Sequence, residues 1–102
     1  MLNFVKDLSK CSRTFMYDVR IKKKVAKNLK KMPVEVQMLF RALVMDLQMK
    51  GPVQPKWKNF SQLGKNQYHC HLGYHHSACW YNENGTIEIE VYYVGSREGA
   101  PY

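Results

Sequence analysis

The segment Tyr68-His-Cys-His-Leu-Gly-Tyr-His-His-Ser-Ala-Cys-Trp80 decides the fold of this chain of 102 residues. It predicts two short β-strands joined by a tight turn, and it holds all four histidines and two of the three cysteines. A purely structural hairpin rarely gathers so many side chains that titrate near neutral pH. The segment therefore carries a catalytic site, a metal site or a polar face of a sheet.

Alternating apolar and polar residues in and after this segment predict three antiparallel strands. They are Gln67–Leu72, His76–Asn82 and Thr86–Val94, and the hairpin signal Asn84-Gly85 precedes the third strand. In the first strand, one face holds the apolar residues Tyr68, Cys70 and Leu72. In the third strand, one face holds Ile87, Ile89, Val91 and Tyr93.

The polar face of this sheet is where we expect a site. His69 and His71 are two residues apart, so their Cβ atoms lie ~7 Å apart on that face. We expect His76, on the neighbouring strand, to reach the same face. Cys70 and Cys79 are expected on the opposite, core face, where a free thiol behaves as a small hydrophobe.

The sequence before this segment predicts one strand and two helices. Thr14–Arg20 is rich in β-formers, and Ile21–Met32 combines a helical apolar stripe with many lysines. Pro33 suits the first position of a second helix that runs to about Met49, and Lys50-Gly51-Pro52 ends it. The predicted fold class is α+β, in the order β-α-α-β-β-β, with a helical hairpin packed on one face of a small, mainly antiparallel sheet.

The length of the chain suits one domain. We divide it into an N-terminal extension, residues 1–13, and a single domain, residues 14–102. No apolar run approaches the ~20 residues that span a bilayer, and the first residues form a poor signal peptide. Three cysteines without C-x-x-C spacing suit a reducing compartment. We therefore expect a cytoplasmic protein without membrane contacts.

The net charge of +8, from 16 basic and 8 acidic residues, is that of a protein that attracts polyanions. A merely solvated surface is the alternative. Trp57 and Phe60 lie among lysines in the loop 51–66, where aromatic rings either stack on bases or pin the loop to the core. The predicted contacts to RNA and the ribosome are Lys22, Lys23, Lys27, Lys30, Lys56, Lys58 and Lys65.

Three local sequences, in this order, resemble the RelE/ParE superfamily of toxins from bacterial type II toxin–antitoxin systems. The first is Tyr17-Asp-Val-Arg20 before a lysine-rich helix. The second is Leu63-Gly64-Lys65 before the strand Tyr68–Leu72. The third and most specific is Val94-Gly95-Ser96-Arg97-Glu98 after the last strand. The resemblance covers roughly residues 14–102 and is strongest for the RelE-like branch.

The resemblance implies the RelE-like microbial ribonuclease-type fold and a small endoribonuclease that cleaves messenger RNA in the ribosomal A site. It also implies contacts with ribosomal RNA and a cognate antitoxin protein that blocks the toxin. Where relatives carry lysines and an arginine, this chain has histidines. The matched site positions are His69, His71, His76, Arg97 and Tyr102.

RNA cleavage by attack of the 2′-hydroxyl needs a base, an acid and a cation for the phosphate, and these residues supply such groups. Histidine serves as base or acid near neutral pH, and Arg97 offers a bidentate fork for phosphate. Tyr102 becomes useful as base or acid only beside cations. We expect no cofactor and no metal.

Three other functions remain open. One is a DNA gyrase inhibitor of the ParE type, although the resemblance implies that such relatives generally lack a cluster of this kind. Another is an inactive protein- or RNA-binding member. A metal site would use His69, His71 and either His75 or His76, since catalytic zinc takes three protein ligands and water. The same histidines would be plain polar surface residues if Glu88 and Glu90 lay beside them.

Overall fold

A computed structural model of the chain describes residues 16–101. Within this range the elements are β1 (Asp18–Ile21), α1 (Lys23–Leu29), α2 (Val34–Lys50), β2 (Ser61–Gln62), β3 (Gln67–Leu72), β4 (His76–Asn82) and β5 (Glu88–Ser96). The predicted N-terminal extension 1–13, the first two residues of the predicted strand Thr14–Arg20, and Tyr102 lie outside the described residues. Neither helix of residues 16–101 is long and apolar enough to cross a membrane.

The strands form one sheet in the order β1-β5-β4-β3-β2. The central strand pairs are antiparallel, and only the pairing of β1 with β5 is parallel among these strands. The predicted α+β fold class, with two helices on one face of a mainly antiparallel sheet, is confirmed. The prediction omitted β2 because two residues are too short to show an alternating pattern.

The core lies between the helices and one face of the sheet. Helix α1 contributes Val25, and α2 contributes Val36, Phe40, Leu43 and Leu47, at the spacing of one helical stripe. The sheet contributes Tyr68, Cys70, Leu72, Ala78, Trp80, Ile89, Val91 and Val94. Phe60 stacks on Tyr68 and Trp80, with ring centroids 6.0 and 6.1 Å away, and Trp57 also packs against the core. The loop aromatics therefore pin the loop to the core.

The helix boundaries differ from the prediction for backbone reasons. Ile21 is paired with Val91 in β1, so α1 begins later than predicted, at Lys23. The conformation of Met32 is restricted by the following proline, which disfavours a continued helix. Pro33 occupies the N-cap of α2 rather than its first helical position, and its carbonyl accepts the N–H of Val36 at 3.0 Å.

A β-bulge in β5 changes which residues face the core. Cys79 pairs with Tyr93 and Trp80 pairs with Val91, so Tyr92 is the extra residue on the bulged strand. The alternation shifts by one residue, and Val94 rather than Tyr93 continues the core face. The predicted shared face of Ile89, Val91 and Tyr93 is therefore wrong for Tyr93.

The end of α2 depends on Gly51. Its φ is +95°, a region that favours glycine, and its N–H donates to the carbonyl of Leu47 at 2.9 Å. The ring of Tyr17 lies so close that a Cβ on Gly51 would be 2.7 Å from its Cζ atom. The N–H groups of Met16 and Tyr17 both donate to the carbonyl of Gln48. Gly51 therefore lets the chain before β1 lie against the end of α2.

We expect Gly51→Ala to lower the free energy of unfolding by about 1–3 kcal/mol, because it combines an unfavourable φ with a clash against Tyr17. Urea unfolding monitored by circular dichroism measures the change. Gly64→Ala is the matched control, since the nearest atom to its added Cβ is 3.8 Å away. Equal stability of the two variants would contradict this account of the helix end.

Candidate active site

The strand register assigns each histidine and cysteine of the hairpin to a face. His69 pairs with Cys79, and Leu72 pairs with His76. Paired residues of an antiparallel sheet share a face, so Cys79 lies on the side of His69, and His76 lies on the core side of Leu72. The expectations for Cys79 and His76 were therefore wrong. In β4 the odd-numbered residues, and not the even-numbered ones, lie on the face of His69 and His71.

His69 and His71 lie side by side, as the spacing predicts, but they are buried rather than half-exposed. Their ring centroids are 5.7 Å apart and the rings are tilted by 58°. The exposed fractions of the two residues are 7% and 8%. The Oγ of Ser61, on β2, lies 3.0 Å from Nδ1 of His69. The short strand that the sequence did not reveal therefore helps to fix the first histidine.

Burial affects the charge of both imidazoles. It lowers the pKa of His69 below its ordinary value of 6.5, and a hydrogen bond with the backbone of Ser61 opposes part of this effect. Burial also lowers the pKa of His71, and the positive charges of Arg97, His69 and Lys58 lower it further. His71 is consequently neutral near pH 7 and able to accept a proton.

The bulge in β5 brings Arg97 to the side of His71. Val91 faces the core, and strict alternation from it would place Arg97 on the core side as well. One extra residue reverses this parity. The backbone N–H of Arg97 donates to the carbonyl of His75 at 2.9 Å, and its Nη1 donates to the carbonyl of Tyr74 at 2.6 Å. Arg97 is thereby attached to the turn between β3 and β4.

These residues surround an open cleft of about 530 Å³, which we call the His71–Arg97 cleft. It is lined by His71, Tyr74, His75, Ser96, Arg97 and Glu98. Lys58 lies next to it, because its carbonyl accepts the N–H of His71 at 2.8 Å and its Nζ lies 4.1 Å from the ring centroid of Tyr74. The cleft thus combines a neutral imidazole with the guanidinium of Arg97 and the carboxyl group of Glu98, and the ammonium of Lys58 lies beside it. The two cations suit a phosphodiester.

Other predicted site residues lie elsewhere. His76 lines an apolar groove with Met38 and Leu39 of α2. The four predicted lysines of α1 and its two caps are exposed, but α1 packs on the core face of β5, away from the histidines. Lys56 and Lys65 are exposed in the loop before β3. Tyr102 lies outside the described residues, so its role stays a prediction.

Two alternatives from the sequence lose their geometric basis. Glu88 forms an ion pair with Arg20 at 3.2 Å, and Glu90 pairs in the sheet with Tyr81, so neither lies opposite His69 or His71. His76 is across the sheet from these two histidines. Within residues 16–101, no group of three His, Cys, Asp or Glu side chains is placed to hold a metal ion.

Several solved structures have a fold similar to that of this chain. RelE in a RelE–RelB complex from the archaeon Pyrococcus horikoshii superposes with a TM-score of 0.67, at 19% identity, over 83% of this chain and 99% of that one. This chain has the RelE fold. A YoeB dimer from Staphylococcus aureus gives 0.60 at 8% identity, over 76% of this chain and 92% of that one. The RelBE2 toxin–antitoxin complex of Mycobacterium tuberculosis gives 0.51 at 13% identity, over 79% and 98%.

The RelE-like fold confirms the architecture that the local sequences implied. The sequence matches no protein-family model, and no curated protein matches it significantly. Sequence reasoning missed Tyr74, Ser96 and Glu98 as members of the cleft. Tyr74 stands between His71 and His75, and the other two flank Arg97, so proximity to predicted residues was the available signal.

We expect stability to fall as the pH drops below about 6.5, because the unfolded chain then binds protons that His69 and His71 resist in the folded protein. Their contribution is complete above the pKa of the unfolded state and is lost progressively toward the lowered pKa of the folded state. Urea midpoints at pH 7.5 and 5.5 measure this loss.

In the double variant His69→Gln/His71→Gln, the difference between the two midpoints should shrink. His75→Gln, a replacement of an exposed histidine in the turn, is the control and should leave the difference unchanged. A double variant with the full acid sensitivity of the parent would show that the buried pair does not cause it.

Proposed function

We propose that this chain is the toxin of a toxin–antitoxin pair and acts as a metal-independent endoribonuclease on messenger RNA in the ribosomal A site. The observation that carries the proposal is the convergence of His71, Arg97 and Lys58 on one open cleft. The RelE fold supports it, since solved proteins with this fold include toxins. The net charge of +8 favours contacts with RNA.

In the proposed reaction, the 2′-hydroxyl of one nucleotide attacks the adjacent phosphorus. Neutral His71 takes the 2′-hydroxyl proton as the 2′-O–P bond forms. The P–O5′ bond then breaks, which leaves a 2′,3′-cyclic phosphate and a 5′-hydroxyl. The guanidinium of Arg97 stabilises the charge on the pentacoordinate phosphate, since only one of its five N–H groups is shown bonded to Tyr74.

The remaining roles follow from position and chemistry. His69 acts as a positioning residue, because it is buried beside the ring of His71 and is itself held by Ser61. Tyr102 is proposed as the acid that protonates the 5′-oxygen, a role that rests on the family resemblance. The exposed lysines of α1 and the loop, which lie outside the cleft, are proposed to contact ribosomal RNA.

Primer extension on an actively translated message tests the proposal, with and without EDTA. We expect the parent to cut within codons in both conditions. His71→Gln should slow cleavage by roughly 10²–10⁴-fold and Arg97→Ala by roughly 10²–10³-fold. Arg97→Lys should retain part of the rate, since lysine keeps the charge but not the fork.

His76→Gln is the matched control, because the same residue type in the same hairpin lies on the opposite face of the sheet. It should cleave like the parent. Tyr102→Phe should slow cleavage if the phenol is the acid. Equal activity of the parent, His71→Gln and Arg97→Ala would refute the site, and inhibited DNA supercoiling with intact messages would favour the gyrase function.

The helical layer of this chain has a surface that suits the proposed antitoxin. An apolar groove between α1 and α2 is lined by Ile21, Leu29, Phe40, Arg41, Ala42, Val44 and Met45. Arg41 lines it, and the lysine-rich helix α1 forms one side of it, so an acidic amphipathic helix is the partner that it fits. The complexes of RelE with RelB and of RelBE2 support a protein partner for a toxin of this fold.

We expect Met45→Glu to weaken binding of the protein encoded next to this gene by roughly tenfold or more, because an unpaired carboxylate in an apolar contact is costly. Met45 is 58% exposed, so the variant should fold. Ile87→Glu is the control, since Ile87 is similarly exposed near the turn between β4 and β5. Calorimetric titration measures both affinities, and equal binding by the two variants would place the partner elsewhere.

A further inference from the structure

Tyr74 is an aromatic side chain that packing does not explain. It is 75% exposed, more than any other large hydrophobic residue in the described range 16–101. It lies in the turn between β3 and β4, where Gly73 has a φ of +80°. An exposed ring at a turn contributes little to the hydrophobic core. Its position beside the His71–Arg97 cleft therefore calls for a different role.

The backbone and ring of Tyr74 are both held relative to the cleft. Its carbonyl accepts the bond from Nη1 of Arg97, and the Nζ of Lys58 lies 4.1 Å from its ring centroid. The ammonium lies over the ring, and most of the residue nevertheless stays exposed to solvent. The ring also lines the apolar groove on the helical side of the turn, so it stands between cleft and groove.

We infer that Tyr74 is the stacking surface for one nucleobase of the RNA whose phosphate lies at Arg97; this inference rests on the proposed function. Single-stranded RNA is bound where cations hold the backbone and exposed aromatic rings stack on unpaired bases. Lys58 and Arg97 supply the cations, and Tyr74 supplies the only strongly exposed aromatic ring of the cleft within residues 16–101. Every base has a π-face, so this contact holds a nucleotide without specifying its sequence.

The turn between β3 and β4 also keeps the ring of Tyr74 next to the proposed phosphate site at Arg97. The left-handed φ of Gly73 allows the sharp bend that sends the next residue out to solvent. The carbonyl of that next residue then points at the guanidinium. Because this hydrogen bond uses the backbone of Tyr74, a change of its side chain removes the ring and leaves the bond to Arg97 in place.

Binding of a short RNA tests the inference without cleavage and without the ribosome. The probe is a fluorescein-labelled hexanucleotide with 2′-O-methyl groups, and fluorescence anisotropy measures its affinity for the full chain. Tyr74→Leu should weaken binding by roughly 5- to 30-fold, the effect of losing one stacked base. Tyr74→Phe and Tyr74→Trp should bind like the parent. Ile87→Leu, a change at an exposed site away from the cleft, is the control.

Two further measurements separate stacking from a structural effect. In a set of probes with one abasic position each, one position should weaken binding to the parent but not to Tyr74→Leu. Tyr74→Leu should leave the slope of log K against log salt unchanged, whereas Lys58→Gln should reduce it by about 0.7, the value for one phosphate contact with a single strand.

The outcomes distinguish this inference from the proposed function. No measurable binding by the parent, equal binding by Tyr74→Leu, or equal loss at every abasic position would overturn the role of Tyr74. Binding with the expected abasic pattern, combined with no cleavage of translated messages by the parent, would retain Tyr74 as a base contact and refute the ribonuclease.

Discussion

The pairing of β3 with β4 is the constraint on which the rest of the structure depends. Successive side chains of a strand point to opposite faces, so one register assigns every residue of the hairpin at once. In this register Cys70 and Ala78 face the helices, whereas His69 and Cys79 face away from them. A shift of this register by one residue would move the apolar side chains of one strand to the outer face and its polar side chains to the core face. Burial of Trp80, which has no exposed surface, opposes such a slip.

The bulge at Tyr92 is the second constraint, because it sets both which residues of β5 face the core and on which side of the sheet Arg97 lies. It lets Val94 continue the apolar face after Val91, although the two residues differ in parity. The same extra residue turns Arg97 toward His71. The hydrogen bonds of Arg97 to the β3–β4 turn then fix the far end of the chain against the hairpin. One irregularity thus assembles a site from segments that are distant in sequence.

Electrostatics in the cleft suit an anionic ligand. Burial and the charges of Arg97 and Lys58 keep His71 neutral, and they leave positive charge that a phosphate would neutralise. The buried thiols behave differently, since burial raises the pKa of both Cys70 and Cys79 to about 12. These cysteines are therefore unsuited to act as nucleophiles at neutral pH, because almost no thiolate is present. The two thiols lie on opposite faces of the sheet, Cys70 toward the helices and Cys79 on the side of His69, and neither lines the His71–Arg97 cleft.

The sequence by itself determined the fold class, the bounds of β3 and β4, and the position of His69 and His71 on one face. These features follow from local periodicity and turn residues. It did not determine the bulge, the two-residue strand β2 or the burial of the histidines. Those depend on contacts between segments that share no local pattern. The face of Cys79 and His76 was decided by tertiary register, and Tyr74 and Lys58 joined the cleft only through folding of the loop and turn. Local sequence specifies the helices and strands. The extra residue in β5 decides which side chains lie on the same face of the sheet.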